Sequence, residues 1–251
     1  MARPHRTLRG RIHYTSRAPG REGVERGREF WSLTVHGDGR RTLNSHCEID
    51  DPPPVVRDVV LAFDERGAPA DCAVRISVGD RFVGSSWFRF DGTQLECEAH
   101  TVLEGRVSQR LRSQAPLAMF GTHPIQADAL LMAVADRGIV GRWQTFPELY
   151  LCSLDHRGAT GPLLMRHPTG LRLALVGEER LTVGAGTFDA WHFRIGDAAS
   201  TEPLEQGSRN EPGKHPPYDL WCTTDGDYVM LKAQVTGYMQ THYELVELHR
   251  T

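Results

Sequence analysis

"RFVGSSWFRFDGTQLECEAHTVLEGR", residues 81–106, decides the fold. Two runs rich in Val, Phe, Trp and Thr flank the step Asp91-Gly92, and a second turn signal, Leu103-Glu104-Gly105-Arg106, follows ten residues later. Asp-Gly supplies the positive φ that tight hairpins need, and alternation between apolar and polar positions is the period of a strand with one covered face. This piece of chain reads as an antiparallel hairpin leading into a third strand.

The same punctuation recurs outward in both directions. "HGDGR" (36–40), "DERGAP" (64–69), "VGDR" (78–81), "VGEER" (176–180) and "TTDGD" (223–227) read as turns, separated by strand-like runs such as "EFWSLTVH", "RTLNSHCEI", "VVLAFD" and "DCAVRISV". Turn signals every 8–12 residues suggest an antiparallel meander. The expected architecture is mainly β: one barrel-like or strongly curved antiparallel sheet over 1–251, with one short inserted helix. "DDPPPVV" (50–56) is an extended corner, and the proline- and glycine-rich stretch 196–219 is a long loop.

The helix is expected near 124–136, inside the one passage that breaks the pattern, "FGTHPIQADALLM" (120–132). Pro124 suits a first helical position, and Ile125, Ala129 and Met132 share a face. His123 is placed as a possible N-cap, with Asp136-Arg137-Gly138 ending the helix.

Composition narrows the function. The chain has 251 residues, 39% hydrophobic and 24% charged, with a net charge of −3. That balance gives no reason to expect nucleic acid. The arginines between Arg3 and Arg28 read as a solvated, partly frayed terminus. No run of ~18 apolar residues exists for a membrane span, and no apolar core of a signal segment follows the first residues. Five cysteines without a C-x-x-C point to reduced thiols and a cytoplasmic protein. P-loop, dinucleotide, nucleophile-elbow and H-E-x-x-H signatures are all missing.

Three constellations carry chemistry. His123 and Asp128 form a candidate acid/base pair, His123 as the proton carrier and Asp128 as its orienter. On "LNSHCEID" and "QLECEAH", period two gathers His46 with Glu48 and Glu98 with His100, a metal-like set if the strands pair and the face is interior, a solvated face otherwise. Trp143, Trp191, Trp221 and Tyr243, with Arg142, His192 and Arg194, would line a cavity for a flat or hydrophobic ligand. Alternation in "FDAWHFRI" places His192 and Arg194 on one face and Trp191 and Phe193 on the other.

"LTVGAGTFDAWHFRIG" and "YDLWCTTDGDYVMLKAQV" are similar to the closing strands of lipocalin-like bacterial β-barrel domains of unknown function. The matching residues are Gly186, Thr187 and Phe188, then Leu220, Trp221, Tyr228, Val229, Leu231 and Lys232. The resemblance implies an antiparallel barrel or highly curved sheet and carries over no catalytic residue.

The leading expectation is an enzyme without cofactor or metal, a lyase, hydratase or isomerase, acting on a small hydrophobic or aromatic molecule. His123 and Asp128 would do the proton chemistry and Arg142 would hold anionic charge. A non-catalytic binder of such a ligand, and a structural or interaction module forming a homodimer through its sheets, are the other readings. No nucleic-acid or membrane partner is expected.

Overall fold

The computed structural model describes residues 5–155, 157–199, 217–235 and 240–251. Eight strands follow one another as hairpins: β1 (Arg6–Ser16), β2 (Glu25–Val35), β3 (Arg41–Ile49), β4 (Val55–Phe63), β5 (Pro69–Val78), β6 (Arg81–Asp91), β7 (Gln94–Thr101) and β8 (Gly105–Arg112). An irregular stretch then carries β9 (Phe120–Gly121), α1 (Ile125–Leu131), a 3-10 turn (Met132–Val134), β10 (Gln144–Phe146), β11 (Tyr150–Leu151) and β12 (Met165–Arg166). The chain closes with β13 (Leu171–Val183), β14 (Gly186–Asp197), β15 (Tyr218–Thr223), β16 (Met230–Val235) and β17 (Thr241–Arg250).

Among the described residues fourteen strands share one sheet in the order β10-β13-β14-β15-β16-β17-β1-β2-β3-β4-β5-β6-β7-β8, antiparallel throughout. β9, β11 and β12 make a small second sheet. The expected barrel-like or strongly curved form is corrected: β10 and β8 end the hydrogen-bonded order without meeting, and the sheet neither closes nor curls strongly. The lipocalin-like description falls with it. Closure depends on how twist and stagger accumulate over many strands, and no local alternation encodes that sum.

Alternation does set the faces. Leu8, Ile12 and Tyr14 on β1, Trp31 and Leu33 on β2, Leu43 and Cys47 on β3 and Val59 and Leu61 on β4 are buried, while Asn44, Asp58, Val60 and Trp87 are exposed. Residues 113–170 lie against the buried side, and apolar residues of the sheet and of this stretch merge into one cluster. Phe120 packs on Phe88 and Phe90 with ring centroids 5.0 and 4.7 Å apart. Gly10 is required where Trp31 lies across β1, because a Cβ there would sit 2.4 Å from the indole.

Three local expectations change. "VGEER" is no turn: Gly177 marks a bulge inside β13, and the turn falls at Gly184-Ala185, within what read as one continuous strand. Arg3 lies outside the described residues, and from Arg6 onward the arginine-rich stretch is not frayed. β1 lies between β17 and β2, Arg6 forms an ion pair with the buried Asp227, and Arg11 reaches Glu247 at 2.6 Å. The helix is shorter than expected, ending at Leu131 before the 3-10 turn and an extended Ala135. Of the loop expected over 196–219, 200–216 lie outside the described residues, β14 runs to Asp197 and β15 begins at Tyr218.

Candidate functional site

The most unusual chemistry sits under the start of α1. Pro124 is the helix's N-cap position and no side chain within the helix caps it. The orphan N–H groups of the first turn are instead taken by Glu29, from the buried face of β2: Ile125 N–H donates to its carboxylate at 2.8 Å and Gln126 N–H at 3.4 Å. Tyr14 and Ser45 hydroxyls donate to the same carboxylate, each at 2.9 Å. Glu29 has no exposed surface. Burial pushes its acid above the usual carboxylate range, against the pull of those four donors. His123 is therefore not the cap, and its backbone takes φ +74° to lead the chain into Pro124.

Gln126 bolts the same turn to the sheet. Its amide donates to the Tyr228 carbonyl at 3.0 Å and accepts from Met230 N–H at 3.0 Å, substituting for a strand partner where β15 and β16 separate. Asp128 accepts from the Tyr218 hydroxyl at 3.0 Å, and burial pushes its carboxyl up to about 7; Glu29 adds to that rise, while the Tyr218 hydrogen bond and Arg57 oppose it. Tyr14 and Tyr243 meet edge to face at 4.7 Å beside this group.

Arg57 completes the buried centre. Glu29, Cys47 and Arg57 stand directly opposite one another across β2, β3 and β4. Arg57 is 1% exposed, donates to the Arg157 carbonyl and leaves Nε without a hydrogen-bond partner among the described residues. Gly158, at φ +60°, lies so close that a Cβ would fall 2.5 Å from Nη2.

The expected site residues are distributed over both faces of the sheet. His123 Nε2 lies 3.0 Å from the Ser153 carbonyl oxygen and Asp128 belongs to Tyr218, so the two are not joined to each other. Arg142 pairs with Asp136 at 3.2 Å on the surface, and Trp143 packs under the Arg172 guanidinium at 4.1 Å. Trp191 packs against Tyr228 at 5.6 Å, with Arg137 above it and its Nε1–H donated to Glu178. His192 and Arg194 share a face, as alternation requires, both bound to Asp219 at 2.7 and 2.9 Å.

Trp221 stands opposite His192 in register and stacks on it at 4.1 Å, with the Lys232 ammonium 4.6 Å from its ring centroid. It therefore belongs to the His192 face, opposite Trp191. The aromatic residues do not converge on one cavity.

No acid and base arranged for a lyase or isomerase is assembled among the described residues, and that assignment is withdrawn. The metal-like faces do not combine either. His46 and Glu48 on β3 are separated by three intervening strands from Glu98 and His100 on β7, and His46 is engaged by Asp58 at 2.6 Å on the solvent side. Among the described residues no three His, Cys, Asp or Glu side chains converge for a metal ion. All five cysteines are buried. One depression of about 430 Å³ opens between the β2–β3 and β4–β5 turns, lined by His36, Asp38, Arg41, Asp64, Glu65 and Asp71 among others, and none of the expected aromatics reaches it.

Sequence reasoning missed Glu29, Arg57 and Gln126. For the first two the signal was present: each occupies an inward position of an otherwise apolar alternation, Glu29 before Trp31 and Leu33, and Arg57 between Val55 and Val59.

No family model matches the chain, and no curated protein is similar to it. A solved structure is: a β-barrel-like protein of the domain of unknown function DUF1849 from Brucella abortus, 14% identical, with a TM-score of 0.55 over 99% of this chain and 98% of that one. The likeness is one of fold alone. No helix among the described residues is long and apolar enough to cross a membrane.

Proposed function

We propose that the protein is a non-catalytic interaction module that presents the solvent face and free edge of its sheet to another protein. The observation that carries this reading is the division of labour between the two faces. The inner side is occupied by the chain's own residues 113–170, tied down by Glu29 and Gln126, and the ionisable groups there serve that attachment. The outer side keeps apolar side chains uncovered: Val60, 39% exposed, and Trp87, 44% exposed, stand in one cross-strand row with the half-buried Ala73 between them, and Phe30 is exposed nearby. Uncovered apolar residues grouped within a polar surround mark contact surfaces.

The test places a photo-crosslinking amino acid at Asn44, Val60 or Trp87, with Ala133 as the inner-side control, in the native host. Protein-sized adducts from the outer positions and none from Ala133 are expected. A small molecule retained in native mass spectrometry, and lost from Trp191→Ala, would overturn the reading in favour of a ligand binder.

A further inference from the structure

The two ends of the large sheet are built differently. At one end β10 covers only Leu171, Arg172 and Leu173 of β13, and beyond them β13 carries a bulge at Gly177 and the exposed run Glu178-Glu179-Arg180. Short strands, bulges and charges in both signs are the usual protection of an edge. At the other end β8 pairs with β7 in unbroken register over eight positions, from Gln94↔Arg112 to Thr101↔Gly105. Its other edge has no backbone partner among the described residues.

β8 is also anchored from its inner side. On its inner side the Gln109 amide clamps Leu164, donating to the carbonyl at 3.1 Å and accepting from N–H at 2.8 Å, and Val107 packs on the core. Its solvent side carries Arg106, Ser108, Arg110 and Arg112 at alternate positions, with no acidic residue on the strand. The acids of β7 only partly neutralise them: Glu98 lies 3.8 Å from Arg106, and Glu96 lies 3.8 Å from Arg110 and 3.9 Å from Arg89. Arg106 and Arg110 keep 85% and 81% of their side chains exposed.

From this we infer that β8 is a docking strand for an extended acidic segment of a partner protein, which adds to the sheet as a fifteenth, antiparallel strand. Backbone pairing supplies the contact, and carboxylates at alternate positions meet the arginines. A second copy of this chain fits poorly, because the central two-fold registers of β8 against itself set Arg106 opposite Arg110 or Arg112, and like charges directly opposite destabilise a pair. The rigid clamp at Gln109 favours binding by leaving little to order. This inference rests on the interaction reading above and names its surface and partner chemistry.

The experiment uses the full chain and a labelled peptide of about nine residues alternating glutamate with valine, beside its lysine counterpart. Fluorescence anisotropy should show binding of the glutamate peptide only, weakening steeply with salt. Backbone amides of 105–112 should exchange more slowly in the complex. The double variant Arg106→Glu, Arg110→Glu should lose roughly tenfold or more of that affinity and gain it for the lysine peptide. Equal binding of both peptides, or unchanged exchange in β8, overturns the inference. If the peptide fails while Val60 or Trp87 still crosslinks to a protein, the docking strand is wrong and the interaction module stands; if crosslinks fail too, both fall.

Discussion

Between Arg6 and Arg112 the chain makes eight strands of eight to eleven residues; among the described residues between Ser113 and Gly170 it makes none longer than three. Both regions face the same problem, the satisfaction of every buried backbone group. The meander solves it with neighbouring strands. The irregular stretch borrows side chains: Glu29 for the first turn of α1, Gln126 for Tyr228 and Met230, Gln109 for Leu164, Gln144 for both backbone groups of Asp136, and Glu148 for Gln114 and Ala115 N–H. Polar side chains here are fasteners, buried at Glu29 and Gln126 and closer to solvent at Gln109, Gln144 and Glu148.

The sharpest way to break the comparison is to remove the fastener with most partners. Glu29→Ala strands two helix N–H groups and the hydroxyls of Tyr14 and Ser45 inside the core, and a destabilisation of about 3–5 kcal/mol is expected. Urea unfolding measures it. A loss under ~1 kcal/mol would mean that water or the hydroxyls themselves replace the carboxylate, and the fastener account would fail.

That expectation separates what the sequence shows from what it hides. Alternation in 81–106 and its relatives locates most strands because each inward residue is apolar and each outward one polar, a rule satisfied within a few residues. Glu29 and Arg57 break the rule at inward positions and so announce themselves, though not their distant partners, Ile125 N–H 96 residues from Glu29 and the Arg157 carbonyl 100 from Arg57. Gln126 gives no sign at all, since a glutamine in an amphipathic helix reads as surface. His123 and Asp128 drew attention as residue types suited to proton transfer, but the turn before Pro124 directs them to Ser153 and Tyr218. The openness of the sheet is a property of all fourteen strands together.

A smaller effect sharpens the comparison by setting two amide fasteners against each other. Gln126 is fully buried and Gln109 half-buried, yet each satisfies one backbone N–H and one carbonyl. Gln126→Ala should cost about 2–3 kcal/mol, because Met230 N–H and the Tyr228 carbonyl are left in the core. Gln109→Ala should cost under ~1 kcal/mol, because water reaches the edge. Equal losses would show that the amides act through packing and not through the hydrogen bonds they complete.

The smallest effect is carried by pH. Burial raises Asp128 to about 7 in the folded protein, whereas an unfolded aspartate ionises near ~3.9. Between those values the unfolded chain has released this proton and the native state has not, so stability falls as pH rises through the window and levels off above it. Asp128→Asn has nothing to ionise and keeps an oxygen to accept from Tyr218. Its stability should therefore match the parent near pH ~4 and exceed it by about 1–2 kcal/mol above pH ~7.5, less than the full linkage value because Asp128 is only half-buried. Glu29 titrates in both proteins, so the difference between their urea curves at a series of pH values isolates Asp128. Parallel curves would mean that Asp128 ionises freely, its carboxylate solvated from the open side of Tyr218, and the buried centre would then shrink to Glu29 and Arg57.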